Sequence, residues 1–346
     1  MALLTALRLY ANFTSSAFRL HLHIDGSSMA KRAINSTRRV QSLLKSLRKD
    51  LGSWNSDPLM IELHFDEPNN DLEKYASGSQ EYVPVINRVD SHLTWHLTLY
   101  QAAALNSGEY DSRQLALASK HAQWRILMEE PPARIGRAKP LLEDNAASFF
   151  ALQVICGWKR RALAVGDALI EGLDTRLLDL RKNDRHNSGS LFPHFWFLIQ
   201  IFRAGKGEPF IDLAPYSHPQ TMAPYDQVLA DWKTTDISKV KQWVEDMAEH
   251  HVQQTHDSDP DGKSEFDFDR AKLFPYEILA FLRIREWAGL SNPTEFDHPL
   301  MKQPLAYMPP LAELPLPDPE TPLLDRVLVR YREKWPDLSI TDEESL

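Results

Sequence analysis

Histidines and carboxylates at short spacing are where this sequence could do chemistry. The string Leu20-His21-Leu22-His23-Ile24-Asp25-Gly26 holds a His-x-His pair. In an extended strand, residues two apart face the same side, so both imidazoles could reach one metal ion. A second string, running from residue 257 to 269, places Asp257, Asp259, Asp261, Glu265, Asp267 and Asp269 around Gly262. Its front half has the alternating oxygens of a calcium loop. Its back half does not, because Phe268 stands where a bidentate Glu should close the shell and Pro260 interrupts the turn. Six carboxylates against the single Lys263 instead make a strongly negative patch, suited to steering a basic partner toward the chain. No metal and no cofactor is expected from either string.

The remaining reactive residue types read as structural. Cys156 is the only cysteine and lies in the apolar run Ala151-Leu-Gln-Val-Ile-Cys, which suits a small buried hydrophobe in a reducing compartment. His250, His251 and His256 end a helical pattern, where the macrodipole favours polar or positive groups. Phe192, His194, Phe195, Trp196, Phe197 and Phe202 read as helix core, because no basic residues interleave with them as a base-stacking surface would require. Arg134, Arg137 and Lys139 make a small basic loop. The sequence holds no Gly-x-Ser-x-Gly elbow, phosphate-binding Gly-Lys-Ser/Thr loop or dinucleotide fingerprint.

Composition narrows the classes further. The net charge of −9 and pI near 5.8 argue against a chain that works by neutralising phosphates, so no direct nucleic-acid partner is expected. Only 13 of 346 residues are Gly, too few to favour folds that cradle cofactors on Gly-rich turns. The apolar run Met1-Ala-Leu-Leu-Thr-Ala-Leu is too short for a signal sequence, and no stretch of 18 apolar residues occurs. The expectation is therefore a cytoplasmic protein with no membrane partner.

The elements that must position these residues fall into three parts. Residues 1–80 read as a small α/β region. Ala17 to Ile24 and Met60 to Phe65 alternate apolar and polar residues as half-buried strands do, Leu3 to Phe13 is a further strand candidate, and a basic amphipathic helix spans Ser28 to Leu51. Glu67 to Gln80 reads as a polar break. Residues 81–303 read as an irregular α-helical array. Its first helix carries a stripe through Val85, Val89, Leu93, Leu97, Tyr100 and Ala104 and closes at Ser107-Gly108; its second is capped by Asp111 and ends near Met128, before Pro131-Pro132. Further helices are expected over Leu141–Trp158, Arg160–Gly172, Thr175–Asp184, Phe192–Ala204, Tyr225–Trp232, Ile237–Thr255 and Pro275–Trp287. In the last of these, Arg283 and Glu286 are spaced as a surface (i, i+3) pair, and Asp297-His298-Pro299 beyond it should anchor a turn. Residues 304–346 begin with seven prolines in nineteen positions, a pattern for an extended strap lying on the body through Leu305, Tyr307, Met308 and Leu311. A short terminal helix over Leu323–Lys334 follows. The fold class expected is mainly α (α+β).

Two family resemblances bear on function. The His21/His23 string resembles the opening of the adenosine-deaminase family of metal-dependent hydrolases, and His218, His250 and Asp297 lie where later ligands would be sought. Departures are clear: His218 is followed by Pro-Gln-Thr, and His298 replaces the second carboxylate of an Asp-Asp-Pro string. That family's barrel also needs strands where residues 82 to 204 read as successive helices. The stretch Leu273-Phe-Pro275-Tyr-Glu277-Ile-Leu-Ala-Phe-Leu-Arg283-Ile-Arg285-Glu286-Trp-Ala-Gly289-Leu, with Asn292-Pro-Thr-Glu-Phe-Asp297-His298-Pro299-Leu300-Met301, resembles the closing region of bacterial immunity proteins. These are mostly helical cytoplasmic antitoxins paired with type VI secretion and other polymorphic toxins, including the TsiT-like group that answers a nuclease effector. The resemblance implies a non-enzymatic protein, without catalytic residue or cofactor, that covers the active cleft of a cognate toxin. The acidic string would then face that toxin. The alternative is a deaminase-like enzyme using His21 and His23.

Overall fold

A computed structural model describes residues 26–52, 54, 56–80, 84–182, 192–255, 264–266, 270–315 and 319–338, and it is mainly α-helical. The long helices are α1 (Gly26–Leu51), α4 (Val85–Ser107), α5 (Ser112–Leu127), α7 (Glu143–Ile155), α8 (Lys159–Gly172), α9 (Pro193–Gly205), α11 (Ile237–Gln253), α12 (Tyr276–Trp287) and α13 (Pro322–Lys334). Shorter ones are α2 (Pro58–Ile61), α3 (Glu67–Ala76), α6 (Glu130–Arg134) and α10 (Tyr225–Asp231).

Local chemistry explains the boundaries. Gly108, at φ +73°, ends α4 in the left-handed conformation that a residue with Cβ resists. Asp111 then caps α5 by accepting the Gln114 N–H at 3.0 Å. The short link turns the chain back, and α4 and α5 pack as an antiparallel hairpin. α7 packs on α5, and α12 on α7 and α9. α12 is buried from Tyr276 through Arg285, and Phe195, Trp196 and Phe197 of α9 are fully enclosed, as expected for the aromatic cluster. Such all-round apolar burial marks the middle of a helical body. Cys156 is buried beside them, and desolvation pushes its thiol up to about 12, so it is inert as a nucleophile.

Several expected elements differ. Met60 to Phe65 is not a strand: α2 runs into a π-helix at Glu62–Asp66 and then into α3. Asp57 accepts the Leu59 N–H at 2.9 Å and Pro58 occupies the first turn, so capping outweighs a six-residue alternation. Glu67 to Gln80 is not a break, since α3 buries Pro68 and Leu72 and its acidic side holds Arg88 through Glu67 at 3.0 Å and Asp71 at 2.7 Å. The strands proposed for 3–13 and 17–24 lie outside the described residues. Thr175 to Asp184 is not a helix over its described part; after turns through Asp179 at φ +55°, Arg181 forms an isolated antiparallel bridge with Tyr216.

The proline-rich segment does lie on the body, but as 3-10 turns at Pro304–Ala306 and Leu311–Glu313, following another at Pro299–Lys302, rather than as one extended strap. Proline fits the first position of each of the first two turns, where its missing N–H is not needed. The Trp158 indole donates to the Pro315 carbonyl at 3.1 Å, and Lys120 donates to that of Pro319 at 3.2 Å. Arg283 donates to Pro309 as well. That arginine is not on the surface: its side chain is 0% exposed, and its Nη1 bonds Glu286 at 2.6 Å.

Candidate functional site

The segment 292–308 and the middle of α12 form one wall of an open groove of about 740 Å³, and the end of α4 with Tyr110 forms the other. Leu279 and Leu282 give the floor, and Phe296, Met301, Tyr307 and Met308 the apolar side. Tyr110 meets Tyr307 edge-on at 4.8 Å between centroids, and Tyr100 braces Tyr110 from behind at 5.9 Å. Glu109, Glu286 and Lys302 add polar groups. A concave surface that mixes apolar side chains with polar groups gives a partner both anchoring contacts and orienting ones.

The turn below the groove is built by His298, not Asp297. His298 Nδ1 accepts the Leu300 N–H at 3.2 Å, while its Nε2 meets Glu249 at 3.2 Å. Bonded by His298 first, and further by Ser36 and Gln253, the Glu249 carboxyl is held down to about 2. The Asp297 side chain is 74% exposed and pairs with Lys241 at 2.7 Å and Lys302 at 3.9 Å. Surface lysines, not imidazoles, surround this carboxylate, which is no setting for a metal ligand. His218 Nδ1 donates locally to the Pro219 carbonyl at 2.8 Å.

The acidic string divides. Asp257, Asp259, Asp261, Asp267 and Asp269 lie outside the described residues, as do His21, His23 and His256. Glu265 is described, and it is not a surface charge: it is 5% exposed and sits between His194 Nδ1 at 2.9 Å and His250 Nε2 at 3.0 Å. Burial pushes its carboxyl up, but the two imidazole hydrogen bonds prevail and hold it below the ordinary range. Tyr276 lies 3.1 Å from His194 Nε2 and completes that chain. His251 is 2.8 Å from Glu277 and 3.0 Å from the Ala271 carbonyl. The end of α11 thus clamps neighbouring segments, which a macrodipole argument alone does not anticipate.

Sequence reasoning passed over the one group of side chains among the described residues that could hold a metal: His92 and His96 of α4 with His121 of α5. One ligand nitrogen from each lies within 4.8 Å of the others. His92 and His96 are one helical turn apart, the spacing that puts two imidazoles on one face, and this was the available signal. Their partner across the hairpin has no sequence signature. In comparison with known proteins, no family model matches this sequence, and no curated protein or solved structure matches it.

Proposed function

We propose that this chain is an immunity protein that binds a cognate secreted antibacterial toxin, a nuclease, and covers its active cleft without catalysing a reaction. The observation that carries the proposal is the groove: the segment whose sequence resembles immunity proteins builds its wall and floor, with Leu279, Leu282, Phe296 and Met301 among its lining residues. A groove of this size accepts one or two aromatic or aliphatic anchors from a partner, the kind of contact that dominates interface energy. The net charge of −9 complements the basic cleft with which a nuclease holds its phosphate substrate, and so favours fast association. Five of the acidic residues in that sum, Asp257, Asp259, Asp261, Asp267 and Asp269, fall within thirteen positions of one another. Glu265 does not belong to the contact set, being committed to two histidines.

The test pairs this protein with the nuclease encoded beside it. Nanomolar binding and loss of nuclease activity are expected. Met308→Asp and Phe296→Asp should each weaken binding by about thirtyfold or more, the loss of one hot-spot contact. Neutralising Asp257, Asp259, Asp261, Asp267 and Asp269 together should slow association. Full affinity in both groove variants would remove the groove from the interface. Turnover of a small substrate by the pure chain, abolished in His21→Ala, would replace the proposal with the hydrolase reading.

A further inference from the structure

The α4–α5 hairpin brings three imidazoles together, one ring nitrogen of each within 4.8 Å of the others, with no carboxylate in the group among the described residues. His96 Nδ1 is 2.8 Å from Gln114 Oε1, and His121 Nδ1 is 2.8 Å from the Leu117 carbonyl. Both acceptors are oxygens, so each ring donates from Nδ1 and keeps its lone pair on Nε2. His92 Nε2 is buried and has no hydrogen-bond partner among the described residues; the residue itself is 6% exposed. An orphaned ring nitrogen in the interior costs about 1–3 kcal/mol, and three imidazoles meeting there need a reason. Burial lowers all three imidazoles below the ordinary value, His92 to about 4.

From this geometry we propose that His92, His96 and His121 bind one zinc ion through three imidazole nitrogens, leaving a fourth tetrahedral position for water. All-nitrogen donors suit a borderline transition metal and not calcium or magnesium, which take oxygen. Nitrogens about 2.0–2.1 Å from a tetrahedral zinc stand roughly 3.3 Å apart, so the widest pair here closes by at most about 1.5 Å, within reach of side-chain rotation. Gln114 and the Leu117 carbonyl orient their rings, as outer partners of zinc histidines do. A fixed lid covers His92: Phe65 stacks on it at 5.4 Å, delivered by the π-helix Glu62–Asp66, a local distortion found often at functional sites. His96 is only partly buried, so the fourth position opens on its side.

Tag-free full-length protein, stripped with chelator, is titrated with zinc chloride by calorimetry and with cobalt chloride by visible absorption. One ion per chain and a tetrahedral cobalt spectrum are expected. His96→Ala, at the least buried of the three rings, should lower zinc affinity by about a hundredfold or more. Gln114→Ala, which touches no metal and provides a second variant should the first misfold, should lower it by about tenfold to a hundredfold. His21→Ala/His23→Ala should leave affinity unchanged. Absence of stoichiometric binding, unaltered affinity in Gln114→Ala, or loss of the ion with His21 and His23 would overturn the assignment. None of these outcomes depends on toxin binding, so the site and the proposed function stand or fall separately.

Discussion

Arg283→Met asks whether a buried charge holds the C-terminal segment to the helical body. The guanidinium is fully enclosed; it donates to Glu286 at 2.6 Å, to the Pro309 carbonyl and, at 3.4 Å, to Ile155. Burial lowers the arginine's own pKa against the pull of Glu286, so desolvation opposes these bonds. Met replaces most of the volume, which makes the cavity contribution small. What is lost is about 1.5–3 kcal/mol for a charge-assisted bond to Pro309, together with the cost of an orphaned buried carbonyl. Glu286, 27% exposed, can turn to water. Allowing for the relieved desolvation, the net destabilisation is about 3 kcal/mol, in the range for breaking one side of a buried pair. Urea unfolding followed by tryptophan fluorescence measures it, and limited proteolysis should show faster cleavage within 304–315. Adding Glu286→Gln should recover under about 1 kcal/mol, because the Pro309 carbonyl stays orphaned. A single variant within 1 kcal/mol of wild type, or full rescue by the second substitution, would refute this account.

Three more outcomes are expected. In Gly166→Ala the new Cβ would clash with the Phe202 ring; overpacking of about 1–3 kcal/mol outweighs a helix-propensity gain of about 1 kcal/mol, so thermal unfolding should come earlier, with recovery in Gly166→Ala/Phe202→Leu. Glu249, held down to about 2 with the His298 bond foremost, has a folded pKa below its unfolded value of about 4.3; its stabilisation is present above that value and lost as pH falls toward 2, so Glu249→Gln should flatten the acid limb of a stability–pH curve. Zinc at a hundred times its Kd should stabilise the chain by about 2.7 kcal/mol yet leave affinity for the proposed toxin partner within about threefold, measured by calorimetry with and without chelator, because His96 and the groove at Gly108 are separated by about 18 Å of α4.

Much of the helical array was legible because its determinants are local. The stripe from Val85 to Ala104, the Gly108 stop and the Asp111 cap each rest on residues within a few positions of one another, and their boundaries agree closely with α4 and α5. Where the reading failed, a short pattern was asked to decide between periods. Six alternating residues at Met60 to Phe65 cannot outvote a capped proline start, and the polar sequence of α3 hides a helix that buries two residues and pairs its acidic side with Arg88 and Arg326. Arg283 was placed at the surface on its charge; its burial follows from Pro309, twenty-six residues later, which needs a donor.

The site was harder to see for a related reason. A hydrophobic stripe identifies the face of α4 that meets the core, and the histidines on that helix then look like tolerated polar positions beside it. His92 and His96 share a turn, but two imidazoles alone are a weak signal. Their meaning comes from His121, which enters only when the hairpin closes, and from Gln114 and Leu117, whose oxygens decide which ring nitrogen keeps its lone pair. The His21/His23 pair was conspicuous because its spacing is local, whereas the α4–α5 cluster is assembled by tertiary contact. Conversely, Glu265 looked like one carboxylate among six until His194 and His250, from two other helices, claimed both of its oxygens. In each case the side chain's chemistry could be read from the chain, but its partner, and therefore its role, was set by packing.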